Sequence, residues 1–200
     1  PIFAQAQPND GHRSLAALEQ RGLVFGLITQ NVDRLHQRAG QQQVLDLHGR
    51  LDQVRCIDCN YRSARSVVQD WLQQENPWIS TEHVIPAPDG DADIELDFNR
   101  VKVPECPCCG GILKPDVVFF GDAVPKTDVA QGYRWVENAQ AVLVVGTSLM
   151  VYSSFRFVRK AYELGLPVMA INQGKTRGDE LFAVKAEINC VQGLAALADC

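Results

Sequence analysis

Short apolar runs and helical apolar stripes alternate along much of the chain. Leu15, Ala16 and Leu18 mark one face of a short helix that Asn9 or Asp10 can cap and Gly22 can close. The run Leu23-Val24-Phe25-Gly26-Leu27-Ile28 is too short for a helix and predicts a buried strand ending at Thr29-Gln30-Asn31. Val32 to Ala39 has helical character and stops at Gly40. Val44-Leu45-Asp46-Leu47 predicts a strand running into His48-Gly49, and Leu51 to Arg55 alternates as another. The second half repeats the scheme: strands over Asp116–Phe120, Ala141–Val145 and Pro167–Ile171, helices over Asp128–Asn138 and Phe155–Leu164, and a last helical turn over Leu194–Leu197. Strands alternating with helices of this length predict an α/β fold with a parallel sheet covered on both faces.

One stretch breaks the pattern. Ala64 to Gln74 can form a helix, but Asn76 to Asp97 is polar and turn-rich, with Pro77, Pro86, Pro88 and Asp89-Gly90-Asp91. Residues 50–112 therefore read as a small module set into a main domain of residues 1–49 and 113–200. Each end of the module carries a C-x-x-C pair, Cys56/Cys59 and Cys106/Cys109. Each pair can place two thiolates on one tetrahedral ion, and four thiolates leave no open position, so the expectation is one structural Zn2+ and not a hydrolytic metal. Cys108 lies inside the second pair and is expected to stay outside the coordination sphere.

Composition narrows the classes. The chain has 200 residues, 46% hydrophobic and 22% charged, as a globular protein does. Its apolar runs fall far short of the roughly 18 residues of a membrane span. A formal net charge of −5 disfavours nucleic-acid binding by broad charge neutralisation. The expected partners are thus neither membrane nor nucleic acid. Seven cysteines with two metal-type pairs and no secretory signal fit a reducing interior, bacterial cytoplasm ahead of mitochondrial matrix. The opening Pro1-Ile2-Phe3, without an initiator Met, reads as a processed protein or a piece of a longer one.

The candidate chemistry sits just past the strands. Thr29-Gln30-Asn31-Val32-Asp33, Gly146-Thr147-Ser148-Leu149 and Asn172-Gln173-Gly174 each come directly after a strand, and in an open parallel sheet such ends share one edge where ligands bind. Their amides, hydroxyls and carboxylate suit ribose and phosphate, and Gly146 ahead of a helix would let backbone N–H groups meet an anion. Three such clusters on one edge point to a nucleotide. His48, at another strand end, is the candidate acid–base group. His12 and His36, on helices, and His83, in the module, read as structural.

Together these residues resemble the sirtuin family. The resemblance rests on Thr29-Gln30-Asn31-Val32-Asp33-Arg34-Leu35-His36, Leu47-His48-Gly49, the two cysteine pairs, Lys114-Pro115-Asp116-Val117-Val118-Phe119-Phe120-Gly121-Asp122 and Gly146-Thr147-Ser148-Leu149. Ala87-Pro88-Asp89-Gly90-Asp91 and the Phe-Phe-Gly-Asp ending resemble the class II branch, of the mitochondrial sirtuin four type and its bacterial relatives. The resemblance implies a Rossmann-like sheet with a zinc module and NAD-dependent removal of acyl groups from protein lysines, releasing nicotinamide and O-acyl-ADP-ribose. It implies that His48 is the general base on a ribose hydroxyl, and that Gln30, Asn31, Val32 and Asp33 surround the nicotinamide ribose. Gly146, Thr147 and Ser148 would meet phosphate and ribose; Asn172, Gln173, Gly174 and Cys190 the adenosine side. Val118, Phe119, Phe120 and Gly121 would pair with an acyl-lysine peptide as an added strand.

Two departures qualify the implication. The family's Gly-Ala-Gly-x-Ser phosphate loop would precede Pro1, so the chain alone is expected to bind NAD weakly. Ser153-Ser154 stands after Val151-Tyr152 where many sirtuins have Pro. The alternatives are protein ADP-ribosyl transfer and, for this stretch alone, a non-catalytic zinc-stabilised binding module.

Overall fold

The computed structural model describes residues 6–79 and 97–199. Ala87–Asp91, His83 and Cys200 lie outside the described residues, as does most of the polar stretch 76–97. In chain order the first elements are α1 (Asp10–Gln20), β1 (Leu27–Thr29), α2 (Leu35–Arg38) and β2 (Val44–Asp46). Then come β3 (Gly49–Cys56), β4 (Arg62–Ala64), α3 (Arg65–Glu75) and β5 (Leu113–Val117). The rest comprises α4 (Lys126–Glu137), β6 (Val142–Val145), α5 (Tyr152–Glu163), β7 (Val168–Ile171), β8 (Val184–Ala186) and α6 (Cys190–Ala198). Two compact units result, one over Gly49–Val117 and one over Gln7–His48 with Val118–Cys200.

In the second unit every strand pairing is parallel: β1 with β2, and β6–β7–β8 in that order. Strand side chains alternate between two faces, and each face has its own helices. Val144, Val168 and Ala170 join Val136 of α4 and Phe157, Val158 and Ala161 of α5 in one apolar cluster. Leu143, Val145 and Ile171 meet Leu15 of α1 and Leu194 of α6 in another. The expected arrangement, parallel strands with helices on both faces, is the one observed.

The unit Gly49–Val117 is antiparallel, with β3 between β4 and β5. Its buried hydrophobic side chains, among the described residues, are Val54, Cys56, Val68 and Cys106. Polar ties supplement them. The buried Asn76 side chain donates to the carbonyls of Leu72 and Lys102 and accepts from Lys102 N–H at 2.7 Å. Asp116 on β5 pairs with Arg55 of β3 at 3.3 Å and Arg62 of β4 at 3.6 Å. Gly49 opens the unit at φ +80°, and any Cβ there would collide with the Asp116 carbonyl, so this close approach of β3 and β5 requires glycine.

Several elements differ from expectation. Leu23 and Phe25 are not strand: the N–H groups of Leu23 and Val24 both donate to Leu18 O, capping α1, and the side chains of Leu23 and Phe25 are 63% and 60% exposed. Pairing starts only at Leu27, whose N–H donates to Gln43 O. The helix expected over Val32–Ala39 shrinks to Leu35–Arg38, because Arg34 sits at φ +64° and Asp33 caps Leu35 N–H. The strand expected over Asp116–Phe120 ends at Val117. Val118 N–H still donates to His48 O, but Asp122 N–H then turns back to Phe119 O. Gly146 does not lead directly into a helix either, since α5 starts at Tyr152. β4 and β8, three residues each, carry too little apolar pattern to be read, and α6 is longer than the expected turn.

Candidate functional site

The parallel ladders bring the strand ends together. Leu47 N–H donates to Thr29 O, so His48 stands just beyond the paired ends of β1 and β2. Gly146 N–H donates to Ile171 O and Asn172 N–H to Ala186 O, which aligns the ends of β6, β7 and β8. Between these groups, Gln30 Nε2 donates to Thr147 Oγ1 at 3.0 Å. The clusters after β1 and β6 are therefore in direct contact, and the ladder sets the cluster after β7 beside them.

Each cluster has its own local cause. Thr147 Oγ1 also accepts from Leu149 N–H, and Leu149 at φ +57° completes a turn whose Ser148 carbonyl receives Arg177 N–H. Gly146, at φ +59°, faces Cys190: a Cβ would sit 3.3 Å from its Sγ. Cys190 heads α6 and its thiol donates to Ile171 O at 3.4 Å. Buried Asn172 folds its amide onto the carbonyls of Gln173 and Gly174. Lys185 donates to the same Gly174 carbonyl and pairs with Asp179, whose carboxylate holds Thr176 and thereby the loop. Hydrogen bonding to Thr176 and Lys185 keeps the Asp179 carboxyl below its ordinary range. Around β1, Asn31 is exposed with its N–H on Thr29 Oγ1, Val32 is half-buried, and Asp33 is spent partly on capping Leu35.

His48 is half-buried, and burial lowers its pKa, an effect that the Gln30 backbone partly offsets by stabilising the charged ring. A ring held neutral near pH 7 keeps a nitrogen lone pair and can accept a proton. Its Nε2 lies 2.8 Å from Ser153 Oγ, a residue 105 positions away that spacing alone could not link to it. Ser153 is the site residue that sequence reasoning passed over; its only signal was the departure from Pro. The other two described histidines are structural: His12 shares a capping box with Asn9, and its ring lies 4.6 Å from His36. Burial drives His36 down to about 4.

Past half-buried Val118, the residues Phe119, Phe120 and Gly121 form an exposed turn and not the expected edge strand, with Phe120 fully exposed and Gly121 at φ +93°.

In the Gly49–Val117 unit, the four sulfurs of Cys56, Cys59, Cys106 and Cys109 lie within 4.8 Å of one another. Cys56–Cys109 and Cys59–Cys106 are each 3.6 Å apart. A tetrahedral zinc with Zn–S bonds of about 2.3 Å sets sulfurs roughly 3.8 Å apart, so this donor set fits that ion. Two turns build it: Cys56 N–H donates to Tyr61 O, and Cys106 N–H to Gly111 O. Thiols this close stabilise one thiolate among them and oppose the ionisation of the others. A backbone bond from Gly111 favours the Cys109 thiolate, but Cys59 and Cys56 outweigh it and push the thiol up to about 12. Cys106, raised by burial, is drawn down to about 7 by the backbone of Cys108 and Cys109 and by its thiol neighbours. Only a cation lets all four ionise together. Cys108 is exposed and absent from the cluster.

Known proteins are similar to this chain in sequence and in fold. The model of the Sir2 family matches residues 1–153. An NAD-dependent protein deacetylase of Bordetella bronchiseptica is 55% identical over 194 residues, covering 96% of this chain and 71% of the relative. One from Xanthomonas axonopodis pv. citri is 54% identical over 198 residues, covering 98% and 68%. Among solved structures, Sir2 bound to acetylated peptide superposes with a TM-score of 0.80 at 27% identity, covering 99% of this chain and 72% of that one. Sir2 with p53 peptide and NAD+ gives 0.79 at 28%, covering 99% and 72%. A chain with these strand-end clusters, this four-cysteine set and these relatives belongs to the Sir2 family, the sirtuins.

Proposed function

We propose that the protein is an NAD-dependent protein-lysine deacylase, with acyl-lysine proteins or peptides as substrates. The observation that carries this reading is the meeting of His48, Gln30 and Thr147 at the carboxyl ends of parallel strands, in a chain whose relatives are named NAD-dependent protein deacetylases. Bound NAD supplies an electrophilic ribose carbon with nicotinamide as leaving group.

The chain's own residues supply the rest. Gln30, Asn31, Val32 and Asp33 surround the nicotinamide ribose, and Gly146, Thr147 and Ser148 offer backbone and hydroxyl donors to phosphate and ribose. Asn172, Gln173, Gly174 and Cys190 border the adenosine. His48, kept neutral by burial, takes a proton from a ribose hydroxyl through Nε2. Val118 and the exposed turn after it, Phe119, Phe120 and Gly121, receive the substrate peptide. The Gly49–Val117 unit serves as the structural zinc module on Cys56, Cys59, Cys106 and Cys109, and the parallel unit as the nucleotide-binding domain. Within the family, Phe119-Phe120-Gly121-Asp122 and Ser153-Ser154 favour the class II branch. Bacterial relatives and free thiols favour the bacterial cytoplasm. Among the described residues, no helix is long and apolar enough to cross a membrane.

Product analysis with NAD and an acetyl-lysine peptide tests the assignment. Nicotinamide, free lysine and O-acetyl-ADP-ribose in equal amounts are expected. ADP-ribosylated protein with the peptide still acetylated would replace deacylation by ADP-ribosyl transfer.

A further inference from the structure

We propose that Ser153 is a positioning residue for His48: its hydroxyl fixes the imidazole so that Nε2 is the nitrogen offered to the substrate hydroxyl. The inference rests on the reading of His48 as the base.

Three observations support it. Ser153 Oγ lies 2.8 Å from His48 Nε2, a full-strength hydrogen bond between half-buried side chains. The Gln30 backbone stabilises the charged ring, as an accepting carbonyl does. In the tautomer that carries its proton on Nδ1, Nε2 is the acceptor that faces the serine hydroxyl. Finally, the serine is itself immobilised. It lies in the first turn of α5, where Phe155 N–H donates to Val151 O and Phe157 and Val158 anchor the helix in the core.

A hydroxyl suits this place for a chemical reason. It has one hydrogen to donate and two lone pairs to accept with. It donates to neutral Nε2 before the substrate arrives, turns its hydrogen away to free the nitrogen's one lone pair when the substrate hydroxyl takes that place, and accepts from Nε2–H once the ring is protonated. The ring therefore keeps one orientation in both protonation states.

The test compares Ser153→Ala, Ser153→Thr and His48→Ala in the intact, zinc-loaded protein. Ser153→Ala should lower kcat roughly tenfold, the size of one lost orienting hydrogen bond, with KM for NAD within about twofold. Its His48 Nε2 resonance in 15N NMR should move toward that of an unbonded pyridine-type nitrogen. Ser153→Thr, which keeps the hydroxyl, should restore both readouts. Alanine is a strong helix former, and an unchanged melting temperature separates this from a folding defect. If Ser153→Ala leaves kcat and the Nε2 resonance unchanged while His48→Ala abolishes turnover, the positioning role is overturned and the base assignment stands. If His48→Ala turns over normally, both fall.

Discussion

The two units of this chain are held by different forces. The parallel unit buries an apolar cluster on each face of its strands, with α4 and α5 on one side and α1 and α6 on the other. Among the described residues, the antiparallel unit buries the apolar side chains Val54 and Val68 and two of its four clustered cysteines. These few apolar side chains offset only a small part of the chain entropy of ordering the residues around them. A metal that binds only the folded form offsets more, because its binding free energy becomes folding free energy. The unit with the larger core is also the one that carries strand-end polar clusters, where rigid strands hold Gln30, His48 and Thr147 in place.

The largest effect that sharpens this contrast is loss of the ion. A structural zinc contributes on the order of 10 kcal/mol. Cys59→Ser should reduce metal content from one zinc per chain to nearly none and expose Gly49–Val117 to hydrogen exchange. Cys108→Ser should retain the full complement. Full zinc in the Cys59 variant, by elemental analysis, would remove the basis of the comparison.

A smaller loss should come from the apolar unit. Phe157, 4% exposed and packed edge-on against Tyr133, belongs to its main cluster. Phe157→Ala should cost about 3–5 kcal/mol in denaturant unfolding while zinc content stays at one. Zinc lost in parallel would mean the units do not stand on separate forces.

Smaller still is the acid response. Burial lowers His36 to about 4 from 6.5, so on acidification the unfolded chain takes up a proton first. Stability from this group is complete above pH 6.5 and is lost as pH falls toward 4, by about 1–2 kcal/mol after discounting its partial exposure. His36→Gln should flatten that slope; an unchanged slope would assign the acid sensitivity elsewhere.

Legibility followed the same division. Strands β6 and β7 and helices α4 and α5 were readable because hydrophobic periodicity reports two-sided burial directly. The same rule overextended the strand at Leu23–Phe25, where backbone donors go to the end of α1, a competition that apolarity does not reveal. The antiparallel unit offered little periodicity, and its readable feature was chemical, the two C-x-x-C pairs. At the site, each strand-end cluster was visible as a local motif, whereas contacts such as Gln30 to Thr147 and His48 to Ser153 exist only once the strands are aligned.

Turnover by His48→Ala tests the central claim most directly. The variant should keep one zinc, its melting temperature and its NAD affinity, because a half-buried imidazole at a strand end contributes little to packing. Its product formation should fall by about 10²–10⁴-fold, the contribution of a positioned general base. Near-normal release of nicotinamide and O-acetyl-ADP-ribose would contradict the account and return His48 to a purely structural role.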